Sequence, residues 1–172
     1  MMVIYLSVGS NIDRHKHIVA ALDALENLLG ELVISSVYES KSVGFDGSNF
    51  FNLVVGAKTE LALDDLSEKL KQIEDENHRL RSGSKFSPRT LDIDILTYGD
   101  FVGVAEGMEL PRAEITQNAF VLLPLMEIVP GGLHPRLKKT YAELWSVYDK
   151  DSQSLWAIGF EWRGKKISQP QA

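Results

Sequence analysis

An α+β fold in the order β-α-β-β-α-β is what this sequence predicts, and three observations carry it. Short apolar or alternating runs over 3–8, 31–39, 50–58 and 92–98 have the reach and two-residue period of strands. Two intervening stretches repeat apolar residues every three to four positions, as helices do. Glycine and polar clusters separate the two kinds of segment. This order is that of a ferredoxin-like, split βαβ core, with helices on one side of an antiparallel sheet.

Val3 to Val8 reads as a buried first strand closed by Gly9-Ser10-Asn11, and Asp13 as a helix cap. Ile18, Ala21, Leu22, Leu25 and Leu29 follow at helical spacing until Gly30 ends the helix. Over 31–39 strict alternation puts Leu32, Ile34, Ser36 and Tyr38 on one face and Val33, Ser35 and Val37 on the other. A loop over 41–49, containing Gly44 and Gly47, leads to a strand in which Phe50, Asn52 and Val54 share a face. Leu63, Leu66, Leu70, Ile73 and Asn77 mark a second helix, and the strand over 92–98 completes the core. Beyond it the sequence predicts a hairpin over 101–110, a short helical turn opened by Pro124, and a capping box at Thr140-Tyr141-Ala142-Glu143. Trp156, Ile158, Phe160 and Trp162 alternate as one face of a strand covering the core edge. The expectation is one domain over 1–162, with a polar, disordered tail over 163–172.

With 172 residues and 44% hydrophobic composition, the chain has enough material for one real core. A formal charge of −6, with the cations grouped locally, argues against a general nucleic-acid binder. The absence of cysteine excludes disulfides, thiolate metal sites and cysteine nucleophiles. Met1-Met2 runs straight into an apolar strand, and no apolar run approaches a membrane span. A cytoplasmic protein without membrane or nucleic-acid partners is expected, a monomer by default with a dimer as the alternative.

The chemistry concentrates in Ser87-Pro-Arg-Thr-Leu-Asp-Ile-Asp-Ile95. In a strand Asp92 and Asp94 point to one face, about 6–7 Å apart, while Ile93 and Ile95 point into a core. Two carboxylates so placed repel each other unless a cation joins them, and a hard divalent ion suits them. On spacing alone a half-exposed strand with an acidic face is an equal reading. The neighbours tip the balance: Arg79, Arg81, Lys85 and Arg89 lead into the pair through Ser82-Gly83-Ser84, as a site for a metal-bound polyphosphate would. No G-x-x-x-x-G-K-[ST] loop is present, and Phe45-Asp46-Gly47 has the wrong order for a kinase D-F-G.

The run Phe86-Ser-Pro-Arg-Thr-Leu-Asp-Ile-Asp-Ile95 resembles the signature of the 6-hydroxymethyl-7,8-dihydropterin pyrophosphokinase family, usually Trp-Gly-Pro-Arg-Thr-Leu-Asp-(Leu/Ile)-Asp. Gly9-Ser10-Asn11, Tyr38 with Val43-Gly44, Phe50-Phe51-Asn52, Glu74 with Arg79, Leu110-Pro111 and Phe120 to Leu125 follow in the family's order. The resemblance covers residues 3 to about 148. It implies transfer of pyrophosphate from ATP to the hydroxymethyl group of the pterin, releasing AMP, in folate biosynthesis. It further implies that Asp92 and Asp94 hold two Mg²⁺ ions, and that Arg79, Arg81, Lys85 and Arg89 bind phosphate, with Glu74 on the ATP side or supporting Arg79. Phe50 and Phe120 would sandwich the pterin, Asn52 would read its edge, and Ser40 and Val43 would line that pocket. Without the resemblance, Phe120 reads equally well as core and Asn52 as the partner of a strand edge.

The chain also departs from that pattern. Arg112 stands where the family usually has His after Pro, Asn118 where it has Arg, and Phe86-Ser87 where it has Trp-Gly. The loop after Tyr38, beginning Glu39-Ser40-Lys41-Ser42, lacks the common Thr and Pro. Arg112 is therefore expected to replace the missing charge at the triphosphate.

Overall fold

The computed structural model describes residues 1–41, 49–77 and 90–170. Strand β1 (Met2–Ser10) runs two residues past the expected end at Val8 and so includes Gly9. Helix α1 (Arg14–Leu29) buries Ile18, Ala21, Leu22 and Leu25 and stops at Gly30, whose positive φ of 81° suits a residue without a Cβ. Asp13 takes the expected cap position but makes no side-chain cap bond, because its backbone is left-handed at φ 45°; its carbonyl accepts from the His17 N–H instead.

The expected second strand is two pieces, β2 (Val33–Ile34) and β3 (Tyr38–Ser40), both paired with β4 (Phe50–Thr59). Ile34 lies opposite Val55 and Tyr38 opposite Asn52, so four steps on one side match three on the other. Ser35 is where the slip is absorbed: its N–H donates to the Val54 carbonyl and its Oγ accepts from the Val54 N–H, at 3.0 and 2.9 Å. One extra residue reverses the alternation. Ile34 and Val37 therefore pack on one core while Tyr38 turns to the other face, and the face shared by Ile34 and Tyr38 that simple alternation predicts does not form.

Helix α2 (Leu63–Glu76) precedes β5 (Asp92–Tyr98), and a small hairpin, β6 (Gly103–Ala105) and β7 (Met108–Leu110), follows. Next come α3 (Glu114–Gln117), α4 (Ala119–Ile128) and α5 (Tyr141–Ser146), then β8 (Leu155–Ala157), β9 (Phe160–Trp162) and β10 (Lys165–Ser168). The main sheet runs β5-β1-β4-β3-β8, with β2 beside β4, and its pairings are antiparallel. The first core, with Ile4, Leu6, Val8, Leu53, Val55, Ile93 and Ile95, is covered by α1 and α2. The second, with Val54, Leu96, Ile115, Leu122, Leu125 and Tyr141, lies under α3 to α5 on the opposite face.

Three C-terminal expectations are corrected. The helical turn expected from Pro124 is a ten-residue helix starting at Ala119, with Pro124 inside it. The proline has no N–H to give the Phe120 carbonyl, but nine apolar residues of ten favour burial strongly enough to carry the helix through. The aromatic stripe breaks at Ile158-Gly159, so Phe160 and Trp162 are buried while Trp156 is 42% exposed. The tail expected to be disordered from 163 forms β10, which pairs with β9. Ser168 anchors it: its buried Oγ accepts from the Val37 N–H at 2.9 Å and donates to the Ile158 carbonyl at 2.6 Å. Thr140 and Glu143 form the expected capping box.

Ser168→Ala leaves the Val37 N–H buried without that acceptor and is expected to cost about 1–3 kcal/mol in urea unfolding, with Ser168→Thr recovering most of it. Equal stability of Ser168→Ala and the parent chain would show that β10 is not held by this bond.

Candidate active site

Strand β1 lies between β4 and β5, and its register lines residues up across the sheet. Tyr38, Asn52, Gly9 and Asp92 form one row, and Val54, Ser7 and Asp94 the next along β1. Neighbouring strands are about 4.8 Å apart, so the backbones of Asn52 and Asp92 stand roughly 10 Å apart with Gly9 between them. From Asp92 to Ile95 the pairing with β1 is regular, and the bulge comes only at Leu96, where Tyr5 lies opposite Thr97 and Leu6 opposite Ile95. Ile93 and Ile95 enter the first core and Leu96 the second. Asp92 and Asp94 thus leave the sheet together on the side of α4, as their spacing predicts.

Gly9 is a floor tile. A Cβ there would come within 2.6 Å of Asn52 Oδ1, so glycine lets the Asn52 carboxamide lie across β1. The other end of that amide donates to Ser40 Oγ at 3.2 Å. Phe50, half-buried, begins β4 opposite Ser40. Phe120, also half-buried, sits in the first turn of α4 against the second core. A latch joins α4 to β3: the Tyr38 hydroxyl donates to Glu127 Oε1 at 2.9 Å, and Glu127 also accepts from the Ser36 N–H and hydroxyl. Burial, then the Glu127 carboxylate, pushes the Tyr38 hydroxyl well above its usual range, so it remains a donor.

At the other end of the row, acidic groups crowd together. Burial first, then the neighbouring Asp92 carboxylate, raises the Asp94 pKa to about 7; Arg112 opposes this, and Glu74 and Glu114 add to it. The Asp94 side chain is still 37% exposed, so it is crowded by protein without being sealed from solvent. Arg112 is fastened by its Nε, which donates to the Ile95 carbonyl at 3.0 Å; its guanidinium lies 3.9 Å from Asp94 and 3.8 Å from Glu114. Glu74 is buried at 3% exposure, and its Oε2 accepts from the Ile93 N–H at 2.7 Å, bracing β5 between the two aspartates. Thr90, two residues before Asp92, has a buried hydroxyl without a partner among the described residues.

These features fit a divalent cation. A carboxylate held near pH 7 by crowding gains from a positive charge, and a buried orphan hydroxyl is ready for a metal-bound water or a phosphate oxygen. Two carboxylates on one strand face are the kind of protein ligand Mg²⁺ takes, since it typically binds one or two and leaves the rest to water and phosphate.

Of the residues expected in the site, Ser40, Phe50 and Asn52 gather at one end of the row, and Asp92, Asp94 and Arg112 at the other, with Glu74 behind β5 and Phe120 on α4. Val43, Arg79, Arg81, Lys85 and Arg89 lie outside the described residues. Sequence reasoning missed Gly9 and Glu114. A glycine inside a strand is the usual sign of a close approach, and ending the strand at Val8 concealed it; nothing in the spacing of Glu114 points to the aspartates.

The family model for 7,8-dihydro-6-hydroxymethylpterin-pyrophosphokinase matches residues 5–130. A 2-amino-4-hydroxy-6-hydroxymethyldihydropteridine pyrophosphokinase of Aquifex aeolicus is 40% identical over 145 residues, 83% of this chain and 90% of the relative. Its counterpart in Porphyromonas gingivalis is 37% identical over 141 residues, 78% of this chain and 95% of the relative. Among solved structures, a Plasmodium falciparum HPPK-DHPS triple mutant with pteroate superposes with a TM-score of 0.67 at 16% identity over 84% of this chain, which spans 43% of that one. Another triple mutant of the same protein, with SDX-DHP, gives 0.73 at 17% identity over 98% of this chain and 46% of its own. At such identities the structures speak for the fold alone, whereas the family match and the curated relatives speak for descent: the chain belongs to the 7,8-dihydro-6-hydroxymethylpterin-pyrophosphokinase family.

Proposed function

We propose that this protein transfers the β,γ-pyrophosphoryl group of ATP to the hydroxymethyl oxygen of 6-hydroxymethyl-7,8-dihydropterin, giving AMP and the pterin diphosphate for folate synthesis. The supporting observation is the row from Asn52 across Gly9 to Asp92, with an amide at one end and a crowded pair of carboxylates at the other. The pterin oxygen bonds to the β-phosphorus as the bridge to the α-phosphorus breaks, the bridging oxygen departs with AMP, and the hydroxyl proton passes to water.

Each side chain has a task in that transfer. Asn52, oriented by Ser40, offers one amide edge to the ring, and a buried amide rejects rings lacking matching donors and acceptors. Phe50 and Phe120 supply flat apolar walls. Asp92 and Asp94 would hold two Mg²⁺ ions. When bound, Mg²⁺ neutralises phosphate charge and lowers the cost of its build-up at the transferring group. Glu74 positions β5 through Ile93 and so aims the pair. Arg112, beside Asp94, takes up charge on the triphosphate, with Arg79, Arg81, Lys85 and Arg89 as further phosphate ligands. The arrangement β5-β1-β4-β3, with α1 and α2 on one face, supports a ferredoxin-like reading of the core.

AMP release from ATP in the presence of the pterin should require a divalent cation, vanish with EDTA, and fall by roughly 10³ or more in Asp92→Asn or Asp94→Asn. AMP formed only with a different alcohol as acceptor would overturn the assignment of substrate. Gly9→Ala pushes a methyl into the Asn52 carboxamide and is expected to raise KM for the pterin roughly 10- to 100-fold with KM for ATP little changed. An unaltered pterin KM would mean that Asn52 does not read the ring.

Asp94 also makes a pH prediction without metal. Its folded pKa of about 7 lies above that of the unfolded chain, so its protonated form stabilises the fold at low pH, and that contribution is lost as pH rises through about 7. The Tm of the metal-free protein should therefore decline between about pH 4 and 7, the unfolded and folded values, more than that of Asp94→Asn, and Mg²⁺ should narrow the gap. Parallel pH–Tm curves for the two proteins would show that Asp94 titrates normally.

A further inference from the structure

Beyond the residues that match the family, 5–130, the chain returns to the site along 153–156. Helix α4 begins without a side-chain cap of its own: Asn118 stands at the cap position but makes no such bond. Gln153 fills that need from 34 residues further on, its Oε1 accepting from the Ala119 N–H at 2.7 Å. Its Nε2 donates to Asn118 Oδ1 at 3.1 Å and reaches the Gln117 carbonyl at 3.4 Å. One carboxamide thus grips three consecutive residues immediately before Phe120. Two residues later the same segment enters β8, where Leu155 lies opposite Ser40 and Trp156 opposite Glu39. The Trp156 indole donates to Glu39 Oε1 at 3.3 Å. Glu39 Oε2 pairs with Arg14 at 2.7 Å, and that guanidinium also donates to the carbonyl of Asn49, the residue before Phe50.

Both walls of the ring pocket are therefore tied to one short stretch. Phe120 hangs on the α4 terminus that Gln153 clamps, while Ser40 and Phe50 hang on strands braced by Trp156 and Glu39. A misplacement of about 1 Å in a stacking wall is enough to lose much of a ring's binding energy, so the length and bonding of the 153–156 span set the gap. We propose that Gln153 is a positioning residue for pterin recognition, setting Phe120 against the Phe50–Asn52 wall through the first turn of α4. This rests on the pterin reading above and adds a determinant outside the matched segment.

Steady-state kinetics on the full chain test it. Gln153→Ala, and Gln153→Met, which keeps the side chain's length without its hydrogen bonds, should each raise KM for the pterin roughly tenfold while KM for ATP stays within about twofold. Gln153→Glu keeps an acceptor for the Ala119 N–H at a helix N-terminus, where Asn118 can turn its amide to donate, and should restore most of the pterin affinity. In a Phe120→Leu background, Gln153→Ala should add little further loss of pterin KM, since the two act through one wall. An unchanged pterin KM, or equal rises in both KM values, would overturn the positioning role while leaving the pyrophosphokinase reading intact. A parent protein that turns over ATP with some other acceptor would fail the functional reading first.

Discussion

The register of β1 against its two neighbours is the constraint on which the site depends. Side chains alternate along a strand, so a slip of one residue would send Asp92 and Asp94 into the first core and Ile93 and Ile95 to the site. Apolar packing forbids it. Leu6 and Val8 on β1, Leu53 and Val55 on β4, and Ile93 and Ile95 on β5 all enter one core beneath α1 and α2. Two irregularities adjust the pattern: after Asp92, Asp94 and Leu96 have shared one face, the bulge at Leu96 returns Tyr98 to the first core, and the slip at Ser35 turns Tyr38 toward α4. Glu74 then fastens α2 to the Ile93 backbone, so β5 is held along one edge by β1 and on the other by this carboxylate.

That geometry concentrates negative charge at a cost. Asp92, Asp94, Glu74 and Glu114 all act on one small region, and Arg112 offsets them only in part. A protein selected for stability alone would gain by replacing one of them with an amide, and retention of strained electrostatics is typical of a site that awaits cations and polyphosphate. The same logic explains why the floor between the two ends is glycine. Between Asn52 and Asp92 the row crosses β1 at Gly9, where any side chain would run into the amide.

Much was legible in the sequence because it depends on period and on local chemistry. The Asp92–Tyr98 strand, the helices bounded by Gly30 and by Leu63, and the Thr140–Glu143 cap follow from interactions within a few residues. Reading failed where distant groups overrode local preference. Val37 and Ile34 share a core because Ser35 bonds to Val54 across the sheet. Pro124 does not begin its helix, since the apolar face of α4 has a second core to cover. The polar tail is ordered because Ser168 satisfies a buried backbone amide 131 residues away.

By itself, then, the sequence determined which face of each strand its polar residues take: an acidic pair at 92 and 94 on one side of β5, and Phe50 and Asn52 together on one side of β4. It could do so because a two-residue period assigns a face whatever the strand's neighbours are. Only the tertiary structure decided what those groups meet: that Asn52 and Asp92 share a row, that Gly9 separates them, that Arg112 and Glu114 join the aspartates, and that Gln153 grips the turn carrying Phe120. Strand order, register and long-range hydrogen bonds arise from burial summed over the whole chain, and no local pattern encodes that sum.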